Sequence, residues 1–166
     1  MLLHATWKRK ESCFKLLKVI AQIEFEIGQI DHLLESYAEL LRQAQQKTPD
    51  LVEITAIASV LHSFYNGLEN IFLAIVKRID RDVPASAQWH RDLLTRMTKA
   101  TSNRESVLTV EMAHQLADYL GFRHFYRHSY SFVLDWDELK ELASSSSEIW
   151  RQTKDELYLF LDSLNV

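Results

Sequence analysis

Cysteine is almost absent from this chain of 166 residues: Cys13 stands alone, so no internal disulfide can form and no cysteine cluster can hold zinc. That scarcity fits a reducing compartment, and a cytoplasmic location is expected. Three Gly and two Pro are too few for the many turns of a sandwich or barrel, which excludes most all-β architectures. No uncharged run approaches the roughly 20 residues needed to span a bilayer. The opening Met1-Leu2-Leu3, followed by Lys8-Arg9-Lys10, lacks the continuous apolar core of a signal peptide. A soluble protein with no membrane partner is therefore expected. Positive charge is not in excess either: the formal net charge of -4 argues against non-specific coating of nucleic acid, but it leaves room for a local phosphate site. No Gly-rich phosphate loop is visible.

What the chain does have is apolar residues at helical spacing. At 47% hydrophobic content it fits one domain with a substantial core. Cys13, Leu17, Ile20, Ile27, Leu34, Tyr37 and Leu41 recur at spacings of three, four or seven, which predicts one long helix from about Phe14 to Ala44. After Pro49, Asp50 with Glu53 forms a capping box for a second helix. Its seam, Leu51, Ile54, Ala58, Leu61, Tyr65, Leu68, Phe72, Ile75 and Ile79, is widened by Ile57, Phe64 and Ile71, as expected for a helix at the centre of a bundle. Its polar edge carries His62, Asn66 and Glu69. Pro84 ends that segment. A shorter helix from about Ala87 to Lys99 places Trp89, Leu93, Leu94 and Met97 inward. Thr109 caps the next helix, and Asp135 with Glu138 opens the last one. Ser144 to Ser147 interrupts its composition but not its period, and reads as a weak helical segment or a close packing face. The expectation is an all-α, single-domain helical bundle of about five helices covering residues 1–166, with residues 1–12 as a loose or ordered extension.

Gly121 to Tyr130 stands apart, because it gathers Arg123, His124, Arg127 and His128 within an acidic protein. On a helix with Arg123 set at zero, Arg127 falls near about 40°, His124 near about 100°, His128 near about 140° and Tyr130 near about 340°. The polar groups then share one arc, and Phe122, Phe125 and Tyr126 occupy the arc that packs inward. A solvated basic face is the plainer reading. Two His four residues apart beside two Arg suit phosphate chemistry better than mere solubility: His exchanges a proton near neutral pH, and Arg offers a permanently charged planar fork. Gly121 permits close approach of backbone or ligand, or a kink.

Two further features are weaker. Glu111-x-x-His114 has the spacing of a di-iron ligand pair, but a second such pair is missing from the sequence, and no metal or cofactor is assigned. Tyr65 and Glu69 lie four apart on the central helix and could orient Arg123. Burial of Tyr65 with solvation of Glu69 is the simpler account.

Arg123, four intervening residues, and His128-Ser129-Tyr130 resemble the Arg-x4-His-x-Tyr motif of HEPN-domain ribonucleases, specifically the HepT-like toxins of prokaryotic toxin-antitoxin pairs. His124 fits the polar residue that tends to follow the motif Arg. Phe64-Tyr65-Asn66-Gly67-Leu68-Glu69 and Trp89-His90-Arg91-Asp92-Leu93-Leu94 are similar to segments of the same branch, so the resemblance covers roughly Leu51 to Leu139. It implies a helical homodimer that cuts RNA without metal. Arg123 would bind the phosphate and His128 would act as general base or general acid, with His124, Arg127, Tyr130, Glu69 and Tyr65 binding substrate or supporting the site. It also implies an MNT-like nucleotidyltransferase antitoxin as partner and Tyr130 as the target of nucleotide attachment. The other reading left open is a non-catalytic HEPN module that binds RNA, nucleotide or a protein partner. Arg123 and His128 do not meet on one straight helix, so a groove between two subunits is the favoured way to join them.

Overall fold

The computed structural model describes residues 2–130 and 133–164, and all regular structure among them is helical. Six α-helices follow in order: α1 (Leu2–Ser36), α2 (Ala38–Ala44), α3 (Leu51–Ile75), α4 (Trp89–Met97), α5 (Val110–His128) and α6 (Trp136–Ser163), with a π-helical turn, Val76–Asp80, closing α3. The fold is an all-α bundle with one apolar core. No helix among the described residues is long and apolar enough to cross a membrane. Residues 2–12, expected as an extension, are backbone of α1, and Met1 lies outside the described residues.

The expected first helix is in fact two. Ser36 Oγ bonds back to the His32 carbonyl at 2.7 Å, a competition with the helical ladder that bends helices, and Tyr37 leaves helical geometry at ψ 10° before α2 begins. The core stripe of α1 is also shifted from the expected one. Val19, Ile23, Ile27, Ile30 and Leu34 are buried, whereas Leu17 and Tyr37 are exposed. A period of 3.6 does not close on seven, so a stripe extrapolated along more than 20 residues drifts around the helix.

Helix α3 is the centre and packs against α1, α4, α5 and α6. Its start is set locally: Asp50 accepts from the Glu53 amide while Glu53 accepts from the Asp50 amide, a complete capping box. Ile57, Leu61, Phe64, Leu68, Ile71, Phe72 and Ile75 are wholly buried, while Leu51, at the first position, projects past the core and is exposed. Gly67 lets α1 approach closely, since a Cβ there would stand 2.7 Å from Ile30 Cγ1. The turn after α3 ends at Arg81 in the left-handed region, φ 58°.

Polar ties fix the outer helices. Arg104, in the loop before α5, reaches Asp80 through Nε and Nη2 at 2.8 and 2.9 Å, with both side chains buried. Asp31 of α1 accepts from Trp150 Nε1 and Lys154 Nζ of α6. Thr109 caps α5 through the Met112 amide and is itself held by Glu156. Asp135 caps α6 through the Asp137 amide rather than through Glu138. The serine run stays helical: Ser146 is fully buried and bonds to the Ala143 carbonyl, and Ser145 meets the Tyr119 hydroxyl at 2.9 Å. Ser145 is the point where the run meets α5, while Ser144 and Ser147 are exposed.

Candidate functional site

Where α3, α4 and α5 meet, one buried carboxylate joins two basic side chains from different helices. Glu69 on α3 accepts from Arg123 Nη2 on α5 at 3.0 Å through Oε1, and bonds His90 Nδ1 on α4 at 2.6 Å through Oε2. Glu69 and Arg123 side chains are both 8% exposed. The Nε of Arg123 donates to Asn66 Oδ1 at 2.6 Å, so two fixed acceptors one turn apart on α3 set the plane of the guanidinium. Two of the three guanidinium nitrogens are thus engaged within the protein, and Nη1 has no such partner among the described residues.

The simpler expectation for Glu69, solvation, is not what the structure has: the side chain is buried and paired. Tyr65 is buried, and desolvation together with the nearby Glu69 charge raises its hydroxyl pKa further above the ordinary range. Asn66 extends the network by its amide toward the His62 ring, at 3.3 Å from Nδ1. Burial, then the charges of Arg123 and Arg127, lower the His62 pKa below its usual value, against a smaller opposite effect of Glu69. The ring of Tyr126 lies against His62 with centroids 4.9 Å apart.

The basic stretch does not present one face. Helical projection placed Arg123 with the solvated groups, but it lies on the inward side of α5 with Leu116, Tyr119 and Phe122. Phe125, expected inward, is 38% exposed. The reason is direction: the bundle lies toward Tyr119, Phe122 and Arg123, and Asn66 and Glu69 give the guanidinium a polar seat there. His124, Arg127 and His128 are exposed, with the rings of His124 and His128 edge-on at 5.0 Å. No hydrogen bond joins Arg123 to His128. The helix ends at His128, and Ser129 is extended with ψ 152°. Tyr130 therefore leaves the arc that a continuous helix would give it and is 75% exposed.

A cleft of about 650 Å³ opens between α4 and α5. Leu94, Ala113 and Leu120 line its apolar part, while His90, Arg91, Arg123 and His124 bring cationic or titratable groups to it. Its volume lies in the range of small-molecule sites. Gly121 borders the cleft, and a Cβ there would meet open space, so close backbone contact does not explain this glycine. Glu111 and His114 are exposed on α5, and no group of three or more metal-ligating side chains occurs among the described residues.

A family model described as HepT-like protein matches residues 56–164, from the first turns of α3 to the end of α6. The chain belongs to the HepT-like family. The matched span holds every member of the polar network, Asn66, Glu69, His90 and Arg123, and also His124, Arg127, His128 and Tyr130. Helices α1 and α2 lie outside it. No curated protein and no solved structure matches the chain.

Two members of the polar network, Asn66 and His90, received no role from the sequence. A signal for Asn66 existed: His62, Asn66 and Glu69 form a polar line along a helix otherwise apolar, and such a line in a core helix needs buried partners. For His90 the only signal was its place in a family-like segment. Its contact with Glu69 bridges 21 residues and two helices.

Proposed function

We propose that this HepT-like chain is a metal-independent endoribonuclease acting as the toxin of a toxin-antitoxin pair. The observation that carries the reading is Arg123, clamped by Asn66 and Glu69 at the wall of a cleft that also takes His90 and His124, with exposed His128 on the next turn of α5. A guanidinium held by two acceptors is preorganised: it can meet a phosphate through Nη1 without rearranging when charge develops in the transition state. Permanent charge in a buried site is worth more than on open surface. His128 exchanges the proton of the ribose or of the leaving oxygen. Arg127 and His124 attract the RNA backbone.

Arg123 and His128 diverge on α5, so a second copy of the chain completes the groove in this reading, and the active form is a homodimer. Tyr130, beyond the helix end and exposed, is accessible to a nucleotidyltransferase antitoxin. A nucleotide attached there would add negative charge beside Arg127 and exclude RNA.

The direct experiment is cleavage of mixed RNAs by unmodified protein in EDTA, with His128→Ala and Arg123→Ala as controls. Cleavage by wild type alone supports the reading, and intact RNA in all three overturns it. One observation favours a second reading, a non-catalytic HEPN module: the burial of Arg123 also suits a structural ion pair. RNA binding that survives His128→Ala without any cleavage would establish that alternative.

A further inference from the structure

The carboxylate of Glu69 is shared, and the second group it holds is a histidine that the reaction above does not use. His90 Nδ1 lies 2.6 Å from Glu69 Oε2, and its ring stacks on Trp89 with centroids 3.5 Å apart and planes 28° apart. Both the tilt and the rotation of the imidazole are thereby fixed. Its side chain is 25% exposed and borders the α4–α5 cleft together with Arg123 and His124.

A carboxylate on Nδ1 selects the tautomer with the proton on Nδ1, leaves the Nε2 lone pair free, and stabilises the imidazolium formed when Nε2 gains a proton. The same carboxylate fixes the phosphate-binding guanidinium through its other oxygen. Base and anion holder are thus referred to one rigid group, so their separation does not depend on two mobile side chains. Transesterification through a 2′-hydroxyl needs both a base and an acid, and in a groove shared by two copies His128 supplies one of these roles while His90 is placed for the other.

We propose that His90 is a second catalytic residue of this site, the general base that acts on the ribose 2′-hydroxyl, a role that rests on the ribonuclease reading. Nε2 of His90 takes the hydroxyl proton, and O2′ forms a bond to phosphorus. The phosphorus–O5′ bond breaks, and O5′ takes a proton from protonated His128. The products are a 2′,3′-cyclic phosphate and a 5′-hydroxyl; one proton has been taken and one given, so the pair returns after proton exchange with water. Arg123 neutralises charge on the non-bridging oxygens. Glu69 is a positioning residue for both His90 and Arg123.

The test compares an oligoribonucleotide that wild type cleaves with the same molecule carrying sulfur in place of O5′ at the cleaved linkage, because a thiolate leaves without a proton. His90→Gln should lose about 10²- to 10⁴-fold on both substrates, whereas His128→Ala should lose that much on the oxygen substrate and recover on the sulfur one. Added imidazole should restore part of the rate of His90→Gly. Equal rates for His90→Gln and wild type, or the reverse dependence on sulfur, overturn the assignment. If the His90 variants do not fold, nitrogen NMR of wild type decides: a neutral ring protonated on Nε2 instead of Nδ1 rules out the base. A folded wild type that cleaves no RNA removes the ribonuclease reading and the role of His90 with it, while an active enzyme indifferent to His90 removes the role alone.

Discussion

Glu69 and Arg123, 54 residues apart in the chain, form a buried ion pair between the two helices that carry the candidate site. Removing one partner of such a pair leaves an uncompensated charge in a low-dielectric setting. Glu69→Ala is expected to lower stability by about 3–5 kcal/mol, and Glu69→Gln, which keeps an oxygen for the guanidinium, by less. Urea unfolding of the three proteins checks the order. A Glu69→Ala variant as stable as wild type would mean that the pair is open in solution.

His62 gives the fold a pH dependence. Its pKa in the folded protein lies below the ordinary 6.5 because of burial first and the Arg123 and Arg127 charges next. Above that value the ring is neutral in both states and contributes nothing. As pH falls through it, the unfolded chain binds the proton more readily, so stability declines toward the lower folded value. The urea midpoint of wild type should therefore fall more than that of His62→Gln between about pH 7.5 and about pH 5.5. Parallel profiles would show that His62 is solvated.

Arg127 is exposed at the last turn of α5, where cations also complement the helix dipole. In the RNA-binding reading it contacts a phosphate, and Arg127→Ala should weaken binding of a 2′-deoxy, uncleavable strand. The slope of log affinity against log salt should fall by roughly 0.7 for one lost contact. An unchanged slope would place Arg127 outside the RNA path.

Arg104 tests architecture apart from chemistry. Its side chain is fully buried against Asp80 and the carbonyls of Lys99, Glu105 and Arg96. Arg104→Ala should cost about 3–5 kcal/mol in urea unfolding and leave the RNA cleavage of the remaining folded protein unaltered. Loss of cleavage without loss of stability would connect this loop to the site.

The helices were legible wherever the deciding interactions are local. Asp50 and Glu53 cap each other within four residues, Thr109 caps α5 at the expected place, and the apolar run from Ile57 to Ile75 announces a helix surrounded by others. In the serine run, which stayed helical, Ser146 bonds back to the Ala143 carbonyl of its own helix and Ser145 meets Tyr119 of α5. Less legible were the features that depend on accumulated phase or on a short competing bond. The α1 stripe rotated away from its extrapolated register, and Ser36 bent the chain before Tyr37.

Gly121 to Tyr130 separates the two kinds of information. Its residue types and spacing, read along the chain, were enough to mark Arg123, His124, Arg127, His128 and Tyr130 and to suggest the family to which the chain belongs. They could not say which way Arg123 faces. A guanidinium is stable on the inward side of α5 only because Asn66 and Glu69 arrive there from α3, and His90 reaches the same carboxylate only because α4 folds back across it. Those partners are supplied by tertiary packing, and the desolvation of a charge is favourable or prohibitive according to whether they are present.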